Sequence, residues 1–168
     1  VPISVEVRGE IAARNQVTGL LADLRGTPLV GAMRQTALLV ERGAKRNAPV
    51  DTGRLRGSIG HEIRRSGIGA GGDTQAVVGS NVEYAPDMEF GTGTFVGRPA
   101  YLPPAAALEV WARRHGTTGD AVANAIFKAG GLKPRRFLQR AFESNKSQIV
   151  RIIEGALADM VARRNRGT

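Results

Sequence analysis

Three acids, Glu83, Asp87 and Glu89, fall within seven positions of one another, an arrangement that in a nuclease would hold a divalent cation through oxygen ligands. Tyr84, Pro86 and Met88 interleave them, and no base or further ligand stands nearby, so they read as a solvated or interface turn. The two histidines are isolated. His61 lies in an alternating, strand-like stretch and His115 follows Arg113 and Arg114, and neither has a second His or Cys at ligand spacing. Both read as surface or packing residues. Nucleophile-elbow and phosphate-loop motifs are absent, and the glycines of GIGAGG (Gly67 to Gly72) precede no helix that would aim N–H groups at a phosphate. The Asn145-Lys146-Ser147 triplet falls on a predicted helix and carries no meaning as a glycosylation signal. The expectation is a protein without catalytic residues, metal or cofactor.

The remaining polar feature is arginine. Lys plus Arg number 24 against 15 Asp plus Glu, giving a net charge of +9. Such a balance favours an acidic partner, either nucleic acid or an acidic protein surface. Arginine suits bidentate bonding to phosphate or carboxylate. Arg64 and Arg65 are adjacent in a predicted strand and face opposite ways, so one of the two can line a DNA channel.

The elements that must carry these residues follow from composition and period. A chain of 168 residues supports one core and reads as a single domain, 1–168. Aromatics are 5% and glycines number 22, which leaves a core of Leu, Val, Ile and Ala with long glycine loops. There is no cysteine, so stability rests on packing or assembly. No apolar run spans a bilayer and no signal peptide is evident, so the expectation is a soluble protein made in a cytoplasm.

Ile3, Val5 and Val7 alternate as a strand, and Glu10 to Arg25 fits a helix. A further helix starts at Thr27-Pro28 and ends before Pro49, with Leu29, Met33, Ala37, Val40 and Ala44 on one face. The NAPVDTGRLRGS stretch reads as a loop, or a loop leading into a strand. Residues 58–65 and 74–80 form a hairpin, 81–93 a short helix or turn, and 94–104 a loop. A helical hairpin occupies an insertion at about 104–131, with Ala107, Leu108 and Trp111 on one face and Val122, Ile126 and Phe127 on another. From Phe137 to about Arg164 an apolar stripe predicts a long C-terminal helix that supplies most of the core, so that Ile153→Asp should prevent folding. The fold class is α+β: a small antiparallel sheet packed against the long C-terminal helix and N-terminal helices.

APVDTGRLRGSI (Ala48 to Ile59), VGSNVEYAPDMEFGTG (Val78 to Gly93) and KPRRFLQRAF (Lys133 to Phe142) resemble, in that order, the phage tail-component family typified by gene product ten of a lambda-like coliphage. In the first, Asp51 and Thr52 can build a side-chain turn before Gly53, after which Leu55 and Ile59 re-enter the core. The family pattern has a proline where Arg136 stands and an apolar residue where Asp87 stands.

The resemblance implies a neck or tail-completion protein of a long-tailed phage that works by assembly. Its subunits would form a homo-oligomeric ring, six-fold like the tail. The ring would join head-completion proteins to tail-terminator or tail-tube proteins, in the virion after assembly in the host cytoplasm. Genomic DNA would pass through it without sequence-specific contact, beside Arg64 or Arg65. The residues expected at subunit or ring interfaces are Asp51, Arg54, Tyr84, Glu89, Phe90, Arg98, Arg135 and Arg136. A basic DNA-binding accessory protein is the alternative, and a small metal-dependent nuclease a third reading.

Overall fold

The computed structural model describes residues 27–66 and 73–166. The expected strand at Ile3 to Val7, the helix over 10–25 and most of the hairpin tip lie outside them.

Helix α1 spans Thr27–Asn47, and α2 spans Arg54–Ser58. Strands β1 (Ile59–Ser66) and β2 (Asp73–Ser80) pair as a two-stranded antiparallel sheet. Then follow α3 (Ala85–Phe90), a 3-10 turn (Gly93–Val96), α4 (Ala105–Arg114), α5 (Gly119–Lys128) and α6 (Phe137–Arg166). The class is α+β, as the periodicities indicate.

These elements divide into two compact units. One comprises the described parts of Val1–Leu38, Glu62–Val77 and Lys146–Thr168; the other comprises Leu39–His61 and Val78–Asn145. Neither is contiguous, because α1, the hairpin and α6 each contribute residues to both. The second unit contains the three motifs.

In α1 the buried positions are Ala32, Thr36, Ala37, Val40 and Ala44, spaced by three and four as one helical face requires. Most are small, and Gly43 continues the pattern. A methyl at Gly43 would stand 3.0 Å from the Ala141 Cβ of α6, so glycine and alanine let the two helices come close there. Asn47 at the end of α1 donates to the Phe137 carbonyl at 3.5 Å. Among the described residues the largest fully buried side chains are Phe137 and Ile59, which open α6 and β1.

The expectation that α6 supplies most of the core does not hold. Its fully buried residues are Phe137, Ala141 and Met160, fewer than α1 contributes, while Phe142, Val150 and Val161 are exposed. Ile153 is half-buried, so a carboxylate there keeps partial access to water and the predicted folding failure loses its basis. The apolar stripe marks a helix correctly but overstates how much of it the chain covers.

A half-buried ionic cluster ties β1 to α1 within the second unit. Glu41 accepts from Lys45 Nζ at 2.5 Å and lies 2.5 Å from His61 Nδ1. The hydrogen bond from Lys45, then that from His61, hold the Glu41 carboxyl below its ordinary value of 4.5, and partial burial opposes them. A depressed carboxylate contributes stability that is full above the ordinary value and is lost as pH falls through the lower folded value. Glu41→Gln should therefore flatten the loss of stability below about pH 4.5. Urea midpoints across pH read this directly.

Candidate functional site

The corner Ala48 to Ile59 begins with Ala48 donating to the Ala44 carbonyl at 2.8 Å, which extends α1 by one bond before Pro49 stops it. Thr52 Oγ1 accepts from the Arg54 amide at 3.3 Å, so the side-chain turn exists and Thr52 makes it. Asp51 goes elsewhere, pairing with Arg114 at the end of α4 at 2.8 Å. Leu55 and Ile59 are buried as expected. The stretch read as a loop also contains the five-residue α2, whose Ser58 hydroxyl meets that of Ser80 across the sheet at 2.7 Å.

The other two motifs fold onto each other. The Thr92 amide donates to the Leu132 carbonyl at 3.0 Å, and the Leu132 amide donates to Thr92 Oγ1 at 2.9 Å. The Arg135 amide donates to the Met88 carbonyl at 2.8 Å and the Arg136 amide to the Glu89 carbonyl at 3.1 Å. The Glu89 carboxylate is buried, and its two oxygens accept from the amides of Leu138 and Gln139, both at 2.9 Å. These amides belong to the first turn of α6, whose donors have no partner inside the helix and whose dipole favours an anion. Helix α6 has no acid in its own first turn, and Glu89 supplies one from 48 residues upstream of Phe137. That missing local cap was the sequence signal for a remote one.

Glu89 is thus turned into its own chain, which removes its carboxylate from the surfaces open to a neighbour. Its companions face outward. Phe90 is 65% exposed, Tyr84 39% exposed, and Arg54, Arg98, Arg135 and Arg136 are exposed. The Met88–Arg135 and Glu89–Arg136 bonds bring the Tyr84 to Phe90 turn beside Arg135 and Arg136. Arg64 is exposed and bonded to Glu62 at 3.0 Å, while the Arg65 side chain is outside the described residues.

Arg136 has φ 51, the left-handed region that L side chains enter at a cost of roughly 1–2 kcal/mol. A proline, whose φ is fixed near −65°, cannot adopt this angle, so the departure from the family pattern goes with this backbone. Its charge also stands at the positive end of α6. Arg136→Gly should therefore raise stability by about 0.5–1 kcal/mol in urea unfolding, after allowing for glycine's greater freedom in the unfolded chain. Arg136→Ala should recover less.

The helical hairpin departs from the expected faces. Its fully buried residues are the small Ala112 and Ala123, while Trp111 and Phe127 are 40% and 46% exposed. Thr118 caps α5 by accepting from the Ala121 amide at 3.3 Å, and Glu109 accepts from the Gly119 amide at 2.8 Å. Trp111 stacks on His115 with ring centroids 3.9 Å apart, a packing role for that histidine. Between Trp111, one face of α5 and residues 129–133 runs an open, largely apolar groove of about 470 Å³.

Among the described residues no group of three or more His, Cys, Asp or Glu side chains could hold a metal, and no helix is long and apolar enough to cross a membrane. Large apolar side chains are exposed on α3, on the 3-10 turn and around the α4–α5 hairpin. Residues 29–91 match the family model HK97-gp10-like, described as "Bacteriophage HK97-gp10, putative tail-component". The match agrees with the resemblance seen in the motifs. The match runs from α1 through Gly91, and the Lys133 to Phe142 motif lies outside it while being hydrogen-bonded to it through Met88 and Glu89. No curated protein and no solved structure gives a significant match.

Proposed function

We propose that this chain is a single-domain, non-enzymatic subunit of the neck or tail-completion ring of a long-tailed phage, joining head to tail around the DNA channel. The observation that carries this reading is the run of exposed large apolar side chains in the segment from Phe90 to Leu102: Phe90, Phe95, Val96, Tyr101 and Leu102. An isolated soluble protein rarely leaves so much apolar surface uncovered in one segment, whereas a subunit of a larger assembly buries it on neighbours. The tail-component match over 29–91 supplies the kind of assembly. Closed cyclic symmetry, six-fold to match the tail, gives each copy two neighbours, and the adjacent head-completion and tail-terminator or tail-tube proteins cover the two ends of the ring.

The net charge of +9 fits a wall past which DNA slides, with either Arg64 or Arg65 on the hairpin facing it. Contact with phosphates alone carries no sequence preference. Native mass spectrometry and negative-stain imaging of the purified full chain should show closed rings of six that persist in 0.5 M salt. Tight binding to duplex DNA that falls steeply with salt, from a protein forming no ring with or without tail proteins, would instead establish the DNA-binding accessory role.

A further inference from the structure

Helix α1 carries four cations, Arg34, Arg42, Lys45 and Arg46, against one acid, Glu41. That acid is turned to the edge of the helix that meets β1, where it bonds to Lys45 and His61, both at 2.5 Å. The outward half of α1 is left with arginine and no carboxylate. At about 100° per residue, Arg42 stands opposite the buried Val40 and Ala44, with Gln35 and Arg46 beside it and Arg34 about two turns earlier. All are exposed, and none of the three guanidinium groups has an ion-pair or hydrogen-bond partner among the described residues. Arg46 suits the negative end of its own helix, but Arg34 and Arg42 lie before the last turn, where that attraction has faded.

The composition of this face decides which anion it fits. Protein partners are held through an apolar centre with charge at its rim, and none of the exposed large apolar side chains among the described residues belongs to α1. Interfaces with DNA are more polar and far more positive, and phosphate oxygens accept from arginine and glutamine alike. The three arginines span about 18 Å of helix, a length over which a duplex presents one phosphate charge per ~1.7 Å. Arg64 on the hairpin differs, because Glu62 already answers its charge at 3.0 Å.

We infer that the outward face of α1 is a sequence-independent site for the phosphates of a DNA duplex, with Arg34, Arg42 and Arg46 each taking one phosphate contact and Gln35 donating beside them. The site goes beyond the ring reading. It assigns the duplex to a particular element, and it holds for a channel wall and for a DNA-binding accessory protein alike.

Binding of the full-length protein to two unrelated DNA duplexes, followed by fluorescence anisotropy over a salt series, tests the assignment. Each phosphate contact contributes about 0.9 to the slope of log Kd against log salt. The triple variant Arg34→Gln, Arg42→Gln, Arg46→Gln should therefore flatten that slope by roughly 2–3 and weaken binding at low salt by about tenfold or more, equally for both sequences. Lysine at the same three positions keeps the charges and should keep the slope. A control with the exposed Arg140, Arg151 and Arg163 of α6 changed to glutamine has the same net charge, 9 − 3 = +6, and should flatten the slope by less than about 1. Glutamine suits an exposed helix position as well as arginine does, so the urea midpoints should match wild type. Equal flattening by both triples means that the charge acts diffusely and overturns the inference. So does a wild-type protein that leaves duplex DNA unbound at low salt; if the α1 triple then loses its hold on a tail protein, the face belongs to an acidic protein partner. Loss of ring assembly in a folded α1 triple whose DNA binding is unchanged places α1 at a subunit contact, which overturns the inference and leaves the ring reading standing. A wild-type chain that never forms a ring yet shows the expected change of slope removes the ring reading and supports the α1 site.

Discussion

Glu89→Ala is expected to lose about 3–5 kcal/mol of stability, because the buried carboxylate is the counter-charge of α6. The carboxylate accepts from two amides of the first turn of α6, and hydrogen bonds to a charged group contribute about 1.5–3 kcal/mol each. Removing it leaves the Leu138 and Gln139 amides facing a small hole, and the positive end of a 30-residue helix loses its counter-charge. A domain of this size has on the order of 5–15 kcal/mol in total, so the variant should unfold at a much lower urea concentration. Glu89→Gln keeps one acceptor oxygen and should lose roughly half as much. Glu83→Ala, six residues away and exposed, should stay within about 0.5 kcal/mol of wild type and serves as the control. If Glu89→Ala melted within 1 kcal/mol of the parent at the same protein concentration, the remote cap would not be what anchors α6. Equal concentrations matter, because an assembling protein gains apparent stability by mass action.

The position of Glu89 also shows where sequence reading ran out. Elements specified by local rules were legible: α1 stops after one further bond at Pro49, the hairpin follows its period of two, and α6 follows its apolar spacing. Each depends on residues a few positions apart. Glu89 stands among Asp87, Phe90 and Glu83, which are exposed, and nothing in its immediate neighbours marks it as the one acid turned inward. Its partner is a helix terminus 48 residues away, recognisable in sequence only as a helix that opens on Phe137 after two arginines with no cap of its own. The same limit applies to the hairpin of α4 and α5. Its large residues suggested the buried faces, but Ala112 and Ala123 are the ones enclosed, while Phe127 is left exposed and Trp111 forms part of the groove wall. Periodicity finds an apolar face; whether the chain itself covers that face depends on what the tertiary fold brings to it.

Gly131→Ala should be nearly as damaging as Glu89→Ala, and for a reason that belongs to the backbone alone. Gly131 has φ 134, a region that L side chains rarely enter, and a methyl there would land on the Thr92 carbonyl oxygen, 2.7 Å from the carbonyl carbon. The neighbouring amide of Leu132 is bonded to Thr92 Oγ1 and its carbonyl to the Thr92 amide, so the two segments cannot part without breaking both bonds. Strain of roughly 1–2 kcal/mol from the backbone and a further 1–3 kcal/mol from overpacking give an expected loss of about 3 kcal/mol. Gly116 gives a lower bound on the backbone part, since its φ of 69 is in the milder left-handed region and open space surrounds it. Gly116→Ala should therefore show the backbone part only, about 1 kcal/mol. Because the Thr92–Leu132 pair lies between the Glu89 cap and the groove wall, hydrogen exchange in Gly131→Ala should accelerate at the amides of Thr92, Leu132 and Leu138 ahead of those in the middle of α1. A Gly131→Ala protein with the urea midpoint of Gly116→Ala and unchanged exchange at Thr92 and Leu132 would mean that the close approach of these segments is not required, and that Gly131 serves some purpose other than letting the two segments touch.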